Sequence, residues 1–175
     1  NGGRHPFRGE FSLALDKKTL KVQHYRLQMH SDGGCTISTT RDIMDRALCH
    51  AANSYVLPSA ELSGQLVRTN KVSNTAYRGF GAPQSQYFME CAIEMAARAN
   101  KTTPEAVREA NLHEKEAELP FGQKFVSPIR DMWTHLKTAV DWDERRKDAD
   151  DFNKKSSKEK MGICLVRPRC SPFFI

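Results

Sequence analysis

The chain has 175 residues, 39% of them hydrophobic and 27% charged, and a net charge of +6, enough for one ordinary domain with its own core. No apolar run approaches the length of a membrane span, and Asn1 to Phe7 do not look like a secretory leader, having no apolar stretch. The basic excess does not gather on one stretch: Asp141 to Lys160 carries seven bases and seven acids, which speaks against a nucleic-acid face.

Phe11 to Leu15 alternates apolar and small residues, the pattern of a half-buried strand. Asp16-Lys-Lys-Thr19 is a polar turn. Leu20 to Met29 forms a second strand, with Leu20 and Val22 on one face and Tyr25, Leu27 and Met29 on the other. That switch predicts a bulge or twist. The two strands make an antiparallel hairpin, and the glycines of Ser31-Asp-Gly-Gly34 predict a loop at its end. Thr39 to Asn53 reads as a helix with a buried stripe of Ile43, Met44, Ala47, Leu48 and Ala51. On its other side, Arg46 is spaced to make an i,i+4 surface pair with Asp42.

A strand over Leu62 to Thr69 leads into Val72-Ser-Asn-Thr-Ala-Tyr-Arg78-Gly79-Phe80-Gly81-Ala-Pro83-Gln84. Gly79 and Gly81 allow backbone angles that bring a ligand or another chain segment close. Pro83 suits the first turn of a helix, where a missing N–H costs nothing. Such a loop is either a plain connection or a seat for an anion or a polar cofactor edge at a helix start. The helix from Gln84 to Ala99 places Phe88, Cys91, Ala92, Met95, Ala96 and Ala99 on a core stripe. Thr103-Pro104-Glu105 starts a short helix running through Val107 to Leu112.

Residues 113–126 read as irregular, with Pro120 and Gly122 as breakers. Ser127-Pro128 caps a helix with Ile129, Met132, Trp133, Leu136 and Val140 on its face. A charged, solvated helix follows to Asn153, then a turn over Lys154 to Lys158 and a strand over Met161 to Val166. Cys35, Cys49, Cys91, Cys164 and Cys170 form no C-x-x-C and no zinc pattern, which favours free thiols in a reducing compartment and no protein-held metal. These elements add up to an α+β fold of an antiparallel hairpin, short strands and several amphipathic helices. Residues 1–112 form a strand and helix body carrying the loop 72–84, residues 113–160 are mainly helical, and residues 161–175 begin a further strand. The chain starts at Asn1 without an initiator methionine, and we expect a piece of a longer polypeptide.

The loop Asn74-Thr-Ala-Tyr-Arg78-Gly79-Phe80-Gly81-Ala-Pro83-Gln84 resembles, nearly letter for letter, the molybdopterin-domain loop of the xanthine dehydrogenase and aldehyde oxidase family. Asn1-Gly-Gly-Arg4-His-Pro6-Phe, Asp42-Ile-Met-Asp-Arg46-Ala-Leu, Thr103-Pro104-Glu105-Ala-Val-Arg108 with Asn111-Leu112, and Lys160-Met-Gly-Ile-Cys are also similar to it. Their order and intervals agree over nearly the whole chain. Ala82 stands where many members have glycine, and the residues after Pro168 depart from the family's course.

The resemblance implies part of a larger molybdenum-cofactor domain. The reaction expected is hydroxylation of an electron-poor carbon by a molybdenum held on a pterin. In the full-length enzyme, [2Fe-2S] clusters and FAD would pass electrons to NAD or oxygen. Three positions carry over. The Arg78 backbone amide contacts the cofactor, the Phe80 ring packs on the substrate, and Arg46 meets a purine oxygen and steadies developing charge. Aldehyde oxidases usually lack that arginine, so Arg46 favours the xanthine dehydrogenase branch and oxidation of hypoxanthine to xanthine to urate. An aldehyde oxidase segment is the alternative within the family, and a truncated, non-catalytic binding or scaffold protein is the alternative outside it. The resemblance places the family's catalytic glutamate beyond this stretch, so the segment alone is expected to be inactive. It also implies a cytoplasmic homodimer, with a peroxisomal location as a variant, whose partners are a purine or aldehyde substrate and the rest of the same polypeptide. Neither nucleic acid nor membrane is expected as a partner.

Overall fold

A computed structural model describes residues 2–118, 122 and 124–165. These fall into two compact units divided between Asn111 and Leu112. The fold is α+β, as the sequence predicts.

The first unit is built on a three-stranded sheet of β1 (Phe7–Leu15), β2 (Val22–Gly34) and β3 (Ala60–Arg68), with β2 in the middle. The β1–β2 hairpin is antiparallel and turns on Asp16, whose carboxylate accepts from the Lys18 and Thr19 amides and the Thr19 hydroxyl at 2.7–3.0 Å. Leu20 follows with φ 58° and lies outside the strand. Register shifts where Ala14 faces His24 and Leu15 faces Val22. The extra residue is a bulge, and it lets Val22 and Tyr25 both turn inward despite opposite parity. Beyond it, Tyr25, Leu27, Met29 and Ser31 are wholly buried.

Here the structure departs from the expected loop at Ser31-Asp-Gly-Gly34, because β2 continues through Gly34. Parallel pairing with β3 supplies the missing ladder bonds, and the glycines are absorbed by a second irregularity between Asp32 and Gly34. Parallel neighbours need a crossover, and α1 (Thr40–Cys49) provides it. The helix is shorter than the predicted span to Asn53, ending in turns over residues 50–54. Ile43, Met44, Ala47 and Ala51 are buried as expected, and Leu48 is half-buried.

The stripe expected on the next helix is rotated. In α2 (Ala82–Ala99) the buried residues are Ala82, Ser85, Gln86, Met89, Ala92, Ile93 and Ala97, whereas Met95 is exposed, as is Ala99. The cause is polar burial, invisible to a hydrophobic count. Glu90 and Glu94 of α2 reach Arg108 of α3 (Pro104–Asn111) at 2.9 and 2.7 Å, and Glu105 adds a third carboxylate at 3.4 Å. Tyr55 Oη and Asn53 Nδ2 also donate to Glu90, at 2.6 and 2.8 Å. Burial and the Glu90 charge push the Tyr55 phenol far above its usual pKa, so it stays a donor. Thr103 caps α3 by accepting from the Ala106 amide at 3.3 Å. Asn111 closes the unit: its side chain accepts from the Val22 amide and donates to the Leu20 carbonyl, both at 2.8 Å.

The second unit contains β4 (Glu116–Glu118), β5 (Lys124–Val126), α4 (Ile129–Ala139) and α5 (Trp142–Lys155). Residues predicted to be irregular therefore hold a short antiparallel pair, whose alternation is too brief to register as a strand pattern. Gly122 lies between them with φ 80°, while Pro120 is outside the described residues. His113 packs edge-on against Phe125 with ring centroids 5.5 Å apart. Pro128, not Ser127, stands at the N-cap of α4, and no side chain caps it. Ile129 and Trp133 are its buried face, and Met132 and Leu136 are exposed. Helix α5 is solvated except for Trp142 and Ala149. No strand forms over Met161 to Leu165. The Asn153 amide instead captures both the N–H and the carbonyl of Met161 at 2.8 Å, removing two groups a ladder would need. Val166 and the residues after it, with Cys170 and the divergence beyond Pro168, lie outside the described residues.

Candidate functional site

The loop between β3 and α2 is held from below by the end of β2. The Asp32 carboxylate accepts from the Gly34 amide, the Thr69 hydroxyl and the Lys71 ammonium at 2.9, 2.7 and 3.2 Å. These donors, the Thr69 hydroxyl foremost, hold the carboxyl below its usual pKa. The Asp32 carbonyl receives the Asn74 side chain at 2.7 Å, and the Gly33 carbonyl receives the Asn74 amide at 3.1 Å. Both ends of the approach to the loop are thus fixed before Tyr77.

Three consecutive residues, Gly79, Phe80 and Gly81, have positive φ of 100°, 49° and 92°. A non-glycine residue in that region is uncommon, and Phe80 is held there by its neighbours. The Phe80 amide donates to the Tyr77 carbonyl at 2.8 Å, and the Ala82 amide to the Gly79 carbonyl at 3.0 Å. Among the described residues, neither the Arg78 nor the Gly79 amide donates to a protein acceptor. The loop then passes into α2 with Gly81 at the N-cap, no side-chain cap and no acidic residue in the first turn. A pair of amides without a protein acceptor near a helix start with no side-chain cap favours a ligand edge that accepts hydrogen bonds.

Gly81 joins this loop to α1. A Cβ at Gly81 would lie 2.2 Å from the Ile43 carbonyl oxygen and 3.2 Å from Ala47 Cβ. Arg46 lies one helical turn from Ile43 and next to Ala47, so the junction brings the helix of Arg46 against the loop of Arg78 and Phe80. Arg78 is exposed, Phe80 is half-buried, and Arg46 is half-buried with its Nε fully enclosed. The Arg46 carbonyl also receives the His50 amide at 3.2 Å and contacts the His50 ring at 2.9 Å, which closes the end of α1.

The sequence reading overlooked the N-terminal segment as a part of this site. Arg4 Nη2 donates to the Arg78 carbonyl at 2.8 Å, and its guanidinium lies 5.5 Å from the centre of the Tyr77 ring. His5 is buried, with Nε2 2.9 Å from the Thr40 hydroxyl, and its carbonyl receives the Gln84 side chain at 3.2 Å. Burial lowers the His5 pKa, which favours the neutral ring. The available signal was the position of Arg4-His-Pro6 at the head of the similarity, but no spacing rule links it to residues more than seventy positions away.

Among the described residues no group of three or more histidines, cysteines, aspartates or glutamates is arranged to hold a metal ion, and no helix is long and apolar enough to cross a membrane. What the site offers is donors, a guanidinium and an aromatic ring.

Residues 1–112 match the molybdopterin cofactor-binding domain family. The chain is 35% identical to a xanthine dehydrogenase/oxidase of Gallus gallus over 95% of its length, and 30% identical to aldehyde oxidase 4 of Cavia porcellus over 94%. It spans 12% of the length of each of these relatives. Among solved structures it is similar to the aldehyde oxidoreductase from Desulfovibrio gigas, with a TM-score of 0.77 and 25% identity, covering 90% of this chain and 17% of that one.

Proposed function

Because the chain belongs to the molybdopterin cofactor-binding domain family, we propose that it forms one wall of the molybdenum site in an enzyme that oxidises purines, hypoxanthine to xanthine to urate. The observation that carries this reading is the junction at Gly81, where the loop of Arg78 and Phe80 meets the helix of Arg46. A loop of this kind suits the pterin: the glycines let it pack tightly on α1, and the Arg78 and Gly79 amides are donors awaiting an acceptor. When bound, the molybdenum pterin supplies the oxidation of an electron-poor carbon, for which the side chains of this chain have no redox group.

The residues of the chain supply binding and charge. Phe80 gives an aromatic face that orients a flat heterocycle by offset or edge-on contact. Arg46 gives a permanent cation with planar donors, suited to a purine carbonyl oxygen that gains negative charge during oxidation. Its partial burial strengthens that effect, since a charge removed from water is less screened. Iron–sulfur clusters, flavin, a final acceptor, the homodimeric state and a cytoplasmic location belong to this proposal for the whole polypeptide. The aldehyde-oxidising reading draws on the similarity to aldehyde oxidase 4, and Arg46 argues against it.

The discriminating variant is Arg46→Met in the whole enzyme. Loss of a charged hydrogen bond made in the transition state is expected to lower purine kcat/KM by about 10²-fold or more, with aldehyde turnover changed far less. Equal losses on both substrate classes would mean that Arg46 acts on structure alone.

A further inference from the structure

Arg4 lies outside the loop, yet it bonds directly to the segment that carries the two amides without a protein acceptor. In a trans peptide the C=O and the N–H point in opposite directions. The Arg78 carbonyl belongs to the same peptide as the Gly79 N–H, so the 2.8 Å bond from Arg4 Nη2 turns that N–H away from Arg4. The preceding peptide is fixed in the same manner: the Tyr77 carbonyl receives the Phe80 amide, which sets the direction of the Arg78 N–H. Two consecutive donors are oriented by two different bonds, one within the loop and one from Arg4.

Resting on the cofactor reading above, we propose that Arg4 is a positioning residue for the molybdopterin loop, making the Gly79 amide a second donor beside that of Arg78. Arginine suits the task because its planar fork donates to the carbonyl while its face lies over the Tyr77 ring at 5.5 Å. Its Nη1 lies 3.7 Å from where a Cβ of residue 79 would stand, an ordinary contact distance, so the guanidinium packs directly against the Gly79 backbone. The base of Arg4 is itself held. The Thr75 amide donates to the Gly3 carbonyl at 3.0 Å, Arg4 forms a parallel bridge with Thr75, and Gly2 lies against Ser73 with no room for a side chain.

The test uses the whole polypeptide with Arg4→Met and Arg4→Lys, following molybdenum content over time after gel filtration, together with the Tm of the metal-free form. Arg4→Met is expected to release molybdenum about tenfold faster, the equivalent of one charged hydrogen bond. Its metal-free Tm should stay within about 2 °C of the parent, because the contact lies at the surface. Arg4→Lys, which keeps the charge but lacks the fork, should fall between them. Equal retention in Arg4→Met and parent would overturn the proposal, as would a Tm loss that accounts for the whole effect. Should Arg4→Met not fold, retention by Arg4→Lys equal to that of the parent would overturn it. A parent polypeptide free of molybdenum would instead overturn the cofactor reading and this proposal with it, so the two failures are distinct.

Discussion

Replacing Arg108 by methionine is expected to destabilise the chain by about 3–5 kcal/mol, the range for removing one partner of a buried ion pair. The Arg108 side chain is 1% exposed and its three guanidinium nitrogens each meet a different carboxylate, of Glu90, Glu94 and Glu105. Methionine fills much of the space but supplies no donor. It would leave Glu90 (16% exposed) and Glu105 (11% exposed) as like charges with little solvent, while Glu94 (37% exposed) could turn outward. The damage should reach Tyr55 and Asn53 too, since both donate to Glu90. Chemical unfolding of the parent and variant measures this directly. A loss below about 1 kcal/mol, the value of a surface pair, would show that water already screens the cluster.

The second large effect is expected at Gly81. Alanine there combines two penalties: a φ of 92° that L-residues avoid, and a Cβ placed 2.2 Å from the Ile43 carbonyl oxygen. The left-handed conformation costs roughly 1–2 kcal/mol and the overpacking roughly 1–3 kcal/mol, so a total near 3 kcal/mol is expected. The obstacle is backbone, which cannot move aside as the end of a flexible side chain could. Relief requires α1 to separate from the loop. Gly81→Ala should therefore lower both the Tm and the molybdenum content of the whole polypeptide. An unchanged Tm with full molybdenum would show that the loop and α1 are not packed as described.

Much of this architecture could be read from the residues, and the failures have physical causes. The hairpin was legible because its alternation is regular, and even the switch of face near Val22 announced a bulge. The continuation of β2 through Gly33 and Gly34 was not, because a glycine pair is a breaker locally and only the parallel partner β3 makes it a strand. The buried face of α2 was misjudged for a related reason. Glu90 turns inward there because Arg108, in another helix, gives it a partner, while Met95 is left outside. The final strand failed at Met161, where a side-chain amide outcompetes a ladder.

The candidate site shows the same division. Gly79, Gly81 and Pro83 betray a close-approach loop before a helix by composition alone, but which segment approaches could not be read from them. The structure supplies that segment as the Ile43 to Ala47 stretch of α1. Arg46 also had a sound reading as a surface pair with Asp42, and that the helix carrying it packs on the loop is decided by tertiary contacts of Ile43 and Ala47. Arg4 had no local signal, because an arginine bonded to a carbonyl seventy-four residues away leaves no mark in periodicity.

The most direct measurement of the central claim is the molybdenum content of the native polypeptide, captured with an antibody to this segment. The account predicts a polypeptide longer than 175 residues that carries stoichiometric molybdenum. A metal-free native polypeptide would contradict it and turn the search for function toward binding.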